Sequence, residues 1–268
     1  MLFVIKMGGS ILKEGASKDL VADLKTLLTE NQVVLVHGGG VEVTEIAKKL
    51  GKEQKFIISP EGFRSRYTDK ETIEIYSMVM AGKINKQIVL ALQRQGIQAV
   101  GLSGLDAAIL QAERKKRIVE VDANGRKRVI DGGYTGKINT VNTDLLRLLL
   151  GKSYVPIVTP IAMSEEFEPL NVDGDRTAAT IAGALKADKL ILLTDVQGLM
   201  LMGERIPKIA AGEVKEILGS IGVGMSTKVH AGLEALTEGV SEVLITAGTG
   251  KNPISAALKR DTGTVITQ

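Results

Sequence analysis

The sequence predicts an α/β fold, a three-layer αβα sandwich whose central sheet is mostly parallel and carries helices on both faces. Short apolar runs of strand length recur along the 268 residues, and amphipathic segments with helical spacing lie between them. Glycine-rich turns follow the first two apolar runs, at the end of a parallel sheet where ligands bind. These observations predict a ligand-binding α/β protein with a sizeable core.

Strands that alternate with helices indicate βαβ units, because parallel strands need a crossover connection. The predicted strands are Leu2–Ile5, Val33–Val36, Gln98–Val100, Val155–Val158, Leu190–Leu193 and Val243–Ile245. The predicted helices are Ser17–Glu30, Glu42–Leu50, Lys70–Arg94, Asn142–Leu150, Asp175–Lys186, Ala211–Ile221 and Met225–Gly239.

The middle of the chain breaks this alternation. Ala108–Ala112, Arg117–Val121 and Arg128–Ile130 have the character of short strands, and an Asn-Gly pair at 124–125 marks a hairpin turn. Glycines dominate residues 132–136, which are predicted as a loop. A β-hairpin is therefore expected as an insertion in the α/β fold.

The composition excludes several classes of function. Without cysteine, the chain has no disulfide, thiolate zinc site or cysteine nucleophile, and two histidines cannot form a multi-histidine metal site. A net charge of +3, 3% aromatic residues and no tryptophan argue against nucleic-acid binding. No apolar run reaches membrane-spanning length and no signal peptide is recognisable, so we expect a cytoplasmic protein without nucleic-acid or membrane partners.

Two glycine-rich loops follow the first two predicted strands. Lys6 precedes Gly8 and Gly9, whose N–H groups could cradle a phosphate beside the lysine charge; the alternative is a tight turn with a surface lysine. His37, interpreted as structural, precedes Gly38–Gly40, which favour an anion site over a flexible connector. Neither loop matches the Walker A or dinucleotide-binding pattern.

Charged and amide side chains flank two further helix starts. Arg64 and Arg66 could bind a carboxylate or phosphate with their planar guanidinium groups, or form a solvated basic turn. Asn171 could contact a ligand, and Asp175 could orient cationic side chains. Simple capping of the following helix is the alternative for the acidic residues.

The last two segments lie in the C-terminal part of the chain. Thr194 and Asp195 end a buried strand, a place where an acid often meets a ribose or a metal, and Gly198 follows closely. An ordinary turn is the alternative. Lys228 lies in the first turns of a predicted helix, where a cation opposes the helix dipole, so a nearby anionic ligand would explain it.

Taken in order, these segments resemble the amino acid kinase family, and in particular the N-acetylglutamate kinase pattern, over nearly the whole chain. The resemblance implies an amino acid kinase fold, ATP as phosphoryl donor, Mg²⁺ held mainly by the ATP phosphates and no metal site in the protein. It also implies an N-terminal lobe over 1–160 for substrate and dimerisation and a C-terminal lobe over 161–268 for ATP.

The resemblance implies a role for each motif. Lys6 would stabilise the transferring phosphoryl group, Lys228 would neutralise the leaving β-phosphate, and Asp175 would hold both lysines in place. The residues implied in binding the amino-acid end of the substrate are Gly39, Gly40, Arg66 and Asn171. Those implied in binding the phosphates and ATP are Gly8, Gly9, Thr194, Asp195 and Gly198.

Within the family, the chain resembles especially the kinases whose aminoadipate or glutamate substrate is attached to an acidic amino-group carrier protein. The segments that carry this resemblance are 63–69, 99–106, 112–116, 133–136 and 171–175. At 173–174 an Asp-Gly pair replaces the Asn-Ala usual in acetylglutamate kinases. Basic residues around the predicted hairpin would dock such a carrier, or form a solvated face. They are Arg64, Arg114, Lys115, Lys116, Arg117, Arg126, Lys127 and Arg128.

The expected function is therefore ATP-dependent phosphorylation of a carrier-linked side-chain carboxylate in lysine, and also arginine, biosynthesis. Phosphorylation of free N-acetylglutamate is the alternative enzyme activity. A non-catalytic nucleotide-sensing protein is the alternative of another class, but it would not need Lys6, Asp175 and Lys228 together. Because the first strand begins at Leu2, without the N-terminal helix that promotes hexamers in arginine-inhibited relatives, we expect a homodimer.

Overall fold

The structure, a computed structural model, describes residues 1–12, 16–122 and 124–268. Its strands are β1 (Leu2–Met7), β2 (Gln32–His37), β3 (Phe56–Ile58), β4 (Arg64–Arg66), β5 (Ala99–Ser103), β6 (Leu110–Arg114), β7 (Arg117–Val121), β8 (Lys127–Asp131), β9 (Gly136–Val141), β10 (Val155–Thr159), β11 (Ile161–Met163), β12 (Pro169–Asn171), β13 (Lys189–Thr194), β14 (Met200–Leu201), β15 (Glu204–Arg205), β16 (Lys208–Ala210), β17 (Glu242–Ala247) and β18 (Thr264–Thr267). Its α-helices are α1 (Lys18–Leu27), α2 (Gly40–Lys49), α3 (Lys70–Ser77), α4 (Asn85–Gln93), α5 (Asp144–Gly151), α6 (Gly174–Leu185), α7 (Ala211–Ile217), α8 (Val223–Thr237) and α9 (Pro253–Leu258). A π-helix spans Met78–Ile84, and 3-10 helices span Gly9–Leu12, Asp106–Ala108 and Leu218–Ser220.

An eight-stranded sheet forms the centre of the fold, in the order β16-β18-β17-β13-β1-β2-β10-β5. All six predicted strands belong to this sheet and run parallel to one another. Strand β18 is antiparallel to β17, so the sheet is mostly rather than wholly parallel, as predicted. The central strands are continuous apolar runs because both of their faces are covered.

Helices cover both faces of the sheet. Phe3 and Ile5 of β1 point into one core, shared with α1 to α4 and α9, whereas Val4 points into a second core shared with α5 to α8. These side chains are buried, and each contributes about 1.5–3 kcal/mol of hydrophobic stabilisation. The predicted three-layer αβα sandwich is thus confirmed.

The middle of the chain forms smaller sheets beside the main one. Four strands pair in the order β12-β11-β6-β9, and β7 and β8 form a separate hairpin. This hairpin is the predicted one, and the Asp122 N–H donates to the Arg126 carbonyl at its turn, at 2.9 Å. The loop predicted over 132–136 is shorter than expected, because Gly136 already pairs with Arg114 as the first residue of β9.

The segment predicted as one helix over Lys70–Arg94 is three helical pieces in succession: α3, the π-helix and α4. A π turn inserts an extra residue, so the side chains after it are rotated relative to a regular helix. The π-helix carries Met80 and Ile84, which are buried against Gly39 at the end of β2. Apolar periodicity predicts the helical segment but does not reveal this irregularity.

The predicted lobe boundary at residue 160 falls between β10 and β11. Strands β1, β2, β5 and β10 of the main sheet precede it, and β13, β16, β17 and β18 follow it. Both predicted lobes therefore contribute to one sheet, and the division into 1–160 and 161–268 stays a prediction. In the ranges that the structure describes, no helix has the length and apolar character needed to span a bilayer.

Candidate active site

The two glycine-rich loops meet at the carboxyl ends of β1 and β2. These strands are neighbours in the sheet, with Met7 paired to His37, so the loops that follow them lie side by side. A Cβ atom on Gly9 would lie 2.9 Å from the Gly39 nitrogen, and a Cβ on Gly38 would lie 2.9 Å from the Gly9 nitrogen. A side chain at any of these positions would push the two backbones apart, which explains the glycines.

The backbone N–H groups of these loops differ in availability. The Gly8 N–H donates to the Leu193 carbonyl at 3.0 Å, so it extends the pairing of β1 with β13 and is not free for a ligand. By contrast, no residue in the described ranges accepts a hydrogen bond from the N–H groups of Gly9, Gly39 or Gly40. Gly40 is the first residue of α2, whose N-terminal N–H groups favour an anion.

A buried ion triad lies beside the glycine loops. The Lys6 ammonium is 2.7 Å from Asp175 Oδ1, and the Lys228 ammonium is 3.0 Å from Asp175 Oδ2. The two ammonium groups thus contact different oxygens of the same carboxylate. One carboxylate thus holds two cations that come from opposite ends of the chain.

Three different elements position the triad. Lys6 is near the end of β1, Asp175 is in the first turn of α6, and Lys228 is in the second turn of α8. Helix α6 begins at its place because Asp173 caps it, accepting a hydrogen bond from the Arg176 N–H at 2.9 Å. The positive end of the α6 dipole adds to the stabilisation of the Asp175 carboxylate.

The ionisation of Asp175 is determined by two opposing effects. Burial alone would raise the pKa of its carboxyl group, but the charges of Lys6 and Lys228 outweigh burial and hold that pKa below its ordinary value. Asp175 is therefore ionised at neutral pH. The triad carries a net positive charge in a site with little access to water, which is the electrostatic environment that a phosphate group requires.

An open cavity of about 850 Å³ adjoins the triad. Lys6, Gly39, Gly40, Arg66 and Asn171, five of the residues predicted to act in catalysis or substrate binding, line its wall. The structure thus brings together residues from β1, β4, α2 and β12 that are far apart in the sequence.

Arg66 is held against one side of the cavity. Its guanidinium group donates to the Gly40 carbonyl at 2.7 Å, to the Thr44 hydroxyl at 2.9 Å and to Gln54. Arg66 is largely buried, and burial lowers its pKa, but an arginine stays charged at neutral pH in proteins. The arginine is therefore pre-oriented, and donors beyond these three contacts can face a carboxylate.

Asn171 is also held in place at the cavity wall. Its side-chain N–H donates to the Thr68 hydroxyl at 3.0 Å, and its backbone N–H donates to the Tyr134 carbonyl at 2.8 Å. These contacts leave the side-chain carbonyl oxygen of Asn171 for other donors. Arg66 and Asn171 together present charge and amide groups to the same cavity.

His37 is structural, as interpreted from the sequence. It is fully buried, and its pKa is lowered from 6.5 to about 4 by burial and by the Lys6 and Lys86 charges, although a backbone contact to Gly38 opposes this. Nδ1 lies 3.0 Å from the Gly38 carbonyl and Nε2 lies 2.9 Å from the Thr159 hydroxyl. The neutral ring therefore donates from Nδ1 and accepts at Nε2, which ties the second glycine loop to β10.

Three residues predicted to bind ATP lie outside this cavity: Thr194 is the last residue of β13, and Asp195 and Gly198 follow it. A Cβ atom on Gly8 would lie 3.8 Å from the Thr194 Cα, so the predicted phosphate loop and this strand end are neighbours. Gly198 has a φ of 134°, and its Cβ would lie 2.6 Å from the Thr264 hydroxyl. The close approach of chain segments already explains glycine at 198.

The predicted carrier-docking cations are spread over β4, β6 and the β7–β8 hairpin rather than one small element, and their docking role stays a prediction. Arg114 belongs to β6 and is committed internally, since it pairs with Glu168 at 2.8 Å and donates to the Gly133 carbonyl at 2.7 Å. Lys115 lines the cavity. Strand alternation divides the remaining cations between faces of the hairpin.

The two faces of the hairpin differ in their ion pairs: one, the occupied face, carries side chains that form ion pairs, and the other is the open face. Arg128 is opposite Glu120 in the register and pairs with Asp122 at 3.4 Å, while Glu120 pairs with Lys55 at 3.3 Å. The other face carries Arg117 and Lys127 together with exposed Val129. Lys116, Arg117, Arg126 and Lys127 are also exposed, and Arg64 is exposed beside the cavity, stacked on Phe56.

Several residues that shape the site were not singled out from the sequence. Asn85 and Thr159 are buried in the hydrogen-bond network around His37, with the Asn85 amide 3.1 Å from the Thr159 hydroxyl. Tyr76 and Met80 line the cavity from α3 and the π-helix. The one sequence signal was the strand ending between two prolines, which places Thr159 at the same sheet edge as the glycine loops.

This order of elements and motifs matches a known family. The sequence pattern of the amino acid kinase family matches residues 1–247. The chain belongs to the amino acid kinase family. As an amino acid kinase, it uses ATP as the phosphoryl donor.

Individual members of the amino acid kinase family align with the whole chain. The LysW-aminoadipate/LysW-glutamate kinase of Saccharolobus solfataricus is 44% identical over 266 residues, covering 99% of both chains. A Nitrosopumilus maritimus protein, named provisionally for the same activity, is 50% identical over 265 residues, also 99% of both. N-acetylglutamate synthase of Neisseria gonorrhoeae has a similar fold, with a TM-score of 0.81 at 23% identity, covering 100% of this chain and 59% of its own.

Proposed function

We propose that this amino acid kinase phosphorylates the side-chain carboxylate of 2-aminoadipate, and also of glutamate, while the amino acid is attached to the carrier protein LysW. The product is an acyl phosphate of lysine biosynthesis, and of arginine biosynthesis where glutamate is the substrate. Full-length relatives at 44–50% identity support the substrate. The observation that carries the chemistry is the buried Lys6–Asp175–Lys228 triad beside two glycine loops.

The reaction needs no general base, because the attacking carboxylate is already an anion. A carboxylate oxygen forms a bond to the γ-phosphorus of ATP, the bond from that phosphorus to the β–γ bridging oxygen breaks, and ADP leaves with the electron pair. The main barrier is repulsion between anions and charge on the transferring group. A site with lysines and free N–H groups suits this reaction.

Each residue of the triad has a distinct proposed role. Lys6, closest to the glycine loops, stabilises the transferring phosphoryl group, and Lys228 neutralises the leaving β-phosphate. Asp175 is a positioning residue that holds both ammonium groups. The N–H groups of Gly9 and Gly39 face the transferred phosphoryl group, while Gly8 supports the loop through its bond to the sheet.

Substrate and nucleotide occupy different sides of the triad. Arg66 and Asn171, with Gly39 and Gly40, bind the amino-acid end of the substrate in the cavity. ATP lies against the end of β13, where Thr194, Asp195 and Gly198 follow one another.

Magnesium fits the site as a companion of ATP. In the described part of the chain, no group of three or more histidine, aspartate or glutamate side chains could hold a metal ion. Mg²⁺ keeps several waters and binds phosphate oxygens with few protein ligands. We therefore propose that it is carried by the ATP phosphates, where it neutralises charge.

The carrier approaches the exposed cations of the β7–β8 hairpin. Lys116, Arg117, Arg126 and Lys127 are exposed in this segment. The stretch from Arg114 to Asp131 contains seven cations and three acids, so its field attracts an acidic partner. Because Arg114 is internally paired, Lys116 and Arg117 are the better residues to neutralise.

Hydroxamate trapping of the acyl phosphate tests the function. Wild-type protein receives ATP with either LysW-linked aminoadipate or free N-acetylglutamate. Turnover of the carrier-linked substrate supports the proposal, whereas turnover of N-acetylglutamate alone would assign the chain to the alternative reaction. Lys6→Ala and Lys228→Ala should each lower turnover by about 100-fold or more with the fold retained; near-full activity in either would refute the site.

The docking surface is tested separately. Lys116→Ala with Arg117→Ala should raise the KM for the carrier-linked substrate several-fold at low salt and leave the KM for ATP unchanged. Lys208→Ala, an exposed cation on the far edge strand β16, is the matched control. An unchanged KM in the double variant would remove the hairpin from the carrier interface.

We also propose a cytoplasmic homodimer. Strand β5 is an edge of the main sheet, and the neighbouring helical segment exposes Met78 and Leu90, at 59% and 55%. A second copy would cover this apolar surface. Light scattering after gel filtration should give a dimer for wild type and a monomer for Leu90→Glu; a wild-type monomer would contradict the proposal.

A further inference from the structure

Tyr76 is a buried tyrosine that lines the substrate cavity. Its side chain is only 6% exposed, and it lines the same cavity as Arg66 and Asn171. In the part of the chain that the structure describes, no residue forms a hydrogen bond with the Tyr76 hydroxyl group. A buried tyrosine hydroxyl usually has a partner, because leaving it unpaired removes the hydrogen bonds that it made with water. The hydroxyl is therefore available to a molecule in the cavity.

Helix α3 brings Tyr76 to this place. The helix begins after its cap Asp69, three residues beyond the end of β4 at Arg66, and Tyr76 is in its last turn. The same helix packs against β12, the strand that ends in Asn171. Helix α3 thus follows one substrate-binding strand and packs against the other, which accounts for a tyrosine of this helix in the cavity wall.

The protonation state of Tyr76 makes its hydroxyl a donor. Burial raises the pKa of the hydroxyl, the Arg66 charge opposes this effect, and the Asp173 charge adds to it. The hydroxyl therefore stays protonated at neutral pH and can donate a hydrogen bond to an oxygen of the ligand. Arg66 is near enough for its charge to act on the hydroxyl. A neutral donor beside a cationic donor suits an acceptor with negative charge, such as a carboxylate.

Asp173 does not exclude a carboxylate from this position. Its side chain is exposed to solvent and caps α6, accepting a hydrogen bond from the Arg176 N–H at 2.9 Å. Its charge also acts on Lys115, a cation of the cavity wall. Water and neighbouring cations screen an exposed charge, so a second carboxylate can bind at Arg66 and Tyr76.

The proposed substrate has two carboxylates with different requirements. The side-chain carboxylate attacks the γ-phosphorus, so it belongs beside Lys6 and the free N–H groups of the glycine loops. The α-carboxylate takes no part in the bond changes and needs only to be held. Arg66 is the pre-oriented cation for that purpose, and Tyr76 is its neighbour.

We propose that Tyr76 is a further substrate-binding residue, whose hydroxyl donates a hydrogen bond to the α-carboxylate of the substrate beside Arg66. This inference rests on the proposed function and deepens it. Because the hydroxyl has no partner among the described residues, its hydrogen bond is gained only when the substrate binds.

Tyr76→Phe removes the hydroxyl and keeps the ring. Both the KM for LysW-linked aminoadipate and the Kd of that substrate, measured by calorimetry without ATP, should rise about tenfold or more, because a hydrogen bond to a charged group is lost. The KM for ATP should be unchanged. Tyr154→Phe, which removes a hydroxyl from a tyrosine that is 38% exposed, is the matched control and should alter neither constant. An unchanged Kd in Tyr76→Phe would overturn the proposal.

Thermal unfolding without substrate separates binding from a structural role. A tyrosine hydroxyl that supports the fold loses stability when it is removed, because its partner is left unpaired. Tyr76→Phe should instead melt at the wild-type temperature or above it. A lower melting temperature would show that the hydroxyl has a partner inside the protein, and the proposal would then be wrong.

An analogue without the α-carboxylate identifies the group that Tyr76 binds. 5-Aminopentanoate is aminoadipate without that carboxylate, and it can be joined to LysW through its amino group. Wild type and Tyr76→Phe should bind this carrier-linked analogue with the same Kd. If Tyr76→Phe weakens binding of the analogue as much as binding of the substrate, the hydroxyl contacts another group and the proposal is overturned.

Failure of the proposed function has a different signature. A wild-type enzyme that turns over N-acetylglutamate but not LysW-linked aminoadipate would contradict the proposed function. N-acetylglutamate also has an α-carboxylate, so the role of Tyr76 would then be tested with the same variants. Tyr76→Phe should weaken binding of N-acetylglutamate and leave the Kd of 4-acetamidobutanoate, which lacks the α-carboxylate, unchanged.

Discussion

Asp175→Asn is the sharpest test of the ion triad. The substitution keeps the shape of the side chain and removes the negative charge that lies 2.7 Å from the Lys6 ammonium and 3.0 Å from the Lys228 ammonium. The side chains of Lys6, Asp175 and Lys228 are only 9%, 6% and 15% exposed. Two cations would then face each other with little solvent between them.

The expected loss of stability follows from this burial. Removing one partner of a buried ion pair costs about 3–5 kcal/mol, because the remaining charge is left uncompensated. Two lysines lose their partner here, but the Lys228 side chain is 15% exposed and keeps some contact with solvent, so we expect the lower end of this range, about 3 kcal/mol. The lysines also lose their orientation, and a displacement of about 1 Å at a reacting group costs about 100-fold in rate.

Urea unfolding and hydroxamate trapping measure the two effects. Asp173→Asn is the matched control, because it makes the same chemical change two residues away, and asparagine caps a helix as well as aspartate does. The control should change the free energy of unfolding by less than about 0.5 kcal/mol. If Asp175→Asn unfolds like the control and keeps its turnover within threefold of wild type, the triad does not organise the site.

Further predictions concern pH and the second glycine loop. The pKa of His37 falls from 6.5 to about 4 on folding. Between these pH values the unfolded chain therefore binds a proton that the folded chain does not bind. The free energy of unfolding should drop by about 3 kcal/mol as the pH falls from 6.5 to 4. In His37→Gln, the free energy of unfolding measured in urea should change much less between pH 6.5 and 4. The same pH dependence as in wild type would contradict the lowered pKa of His37. Because the pKa of Asp175 is lowered on folding, this carboxylate stabilises the fold at pH values above the ordinary aspartate pKa of about 3.9. Its contribution should be lost only as the pH falls below that value. Asp175→Asn should lack this loss of stability in acid. Gly39→Ala would place a Cβ atom 2.2 Å from Ile84 Cδ1 and should lower the free energy of unfolding by about 1–3 kcal/mol. In Gly40→Ala the nearest atom to the new Cβ is 3.7 Å away, so the loss should be less than about 1 kcal/mol. Equal unfolding midpoints for the two variants would show that the spacing of this loop is not critical.

Residue type and position in the chain were sufficient to predict much of the site. Glycines after β1 and β2 are costly unless something must approach the backbone, and parallel neighbours place both loops at one edge. The structure confirms that the loops meet. It also places Lys6, Asp175 and Lys228 together, although their roles in catalysis stay predictions.

Other features depend on contacts that no local pattern contains. Most of the eight predicted docking cations are close together in the sequence, but the structure gives them different surroundings. Arg114 forms an ion pair with Glu168, Lys115 lines the cavity, and Arg128 is on the occupied face of the hairpin. Short strands such as β11 and β12 have three residues each, too few to show alternation. The π-helix, which brings Ile84 against Gly39, has the same apolar character as a regular helix.

Side-chain periodicity and residue type are local properties, so they predict the alternation of strands and helices, the parallel sheet and the chemical groups at its edge. Which of those groups meet depends on how distant segments pack. The Lys6–Asp175–Lys228 triad joins residues 53 to 222 positions apart along the chain. The cavity is bounded by both β9, the last strand of the small sheet, and α6, which are separate elements in the sequence. Such juxtapositions depend on long-range packing, in which the same cation can be paired, buried or left for a partner.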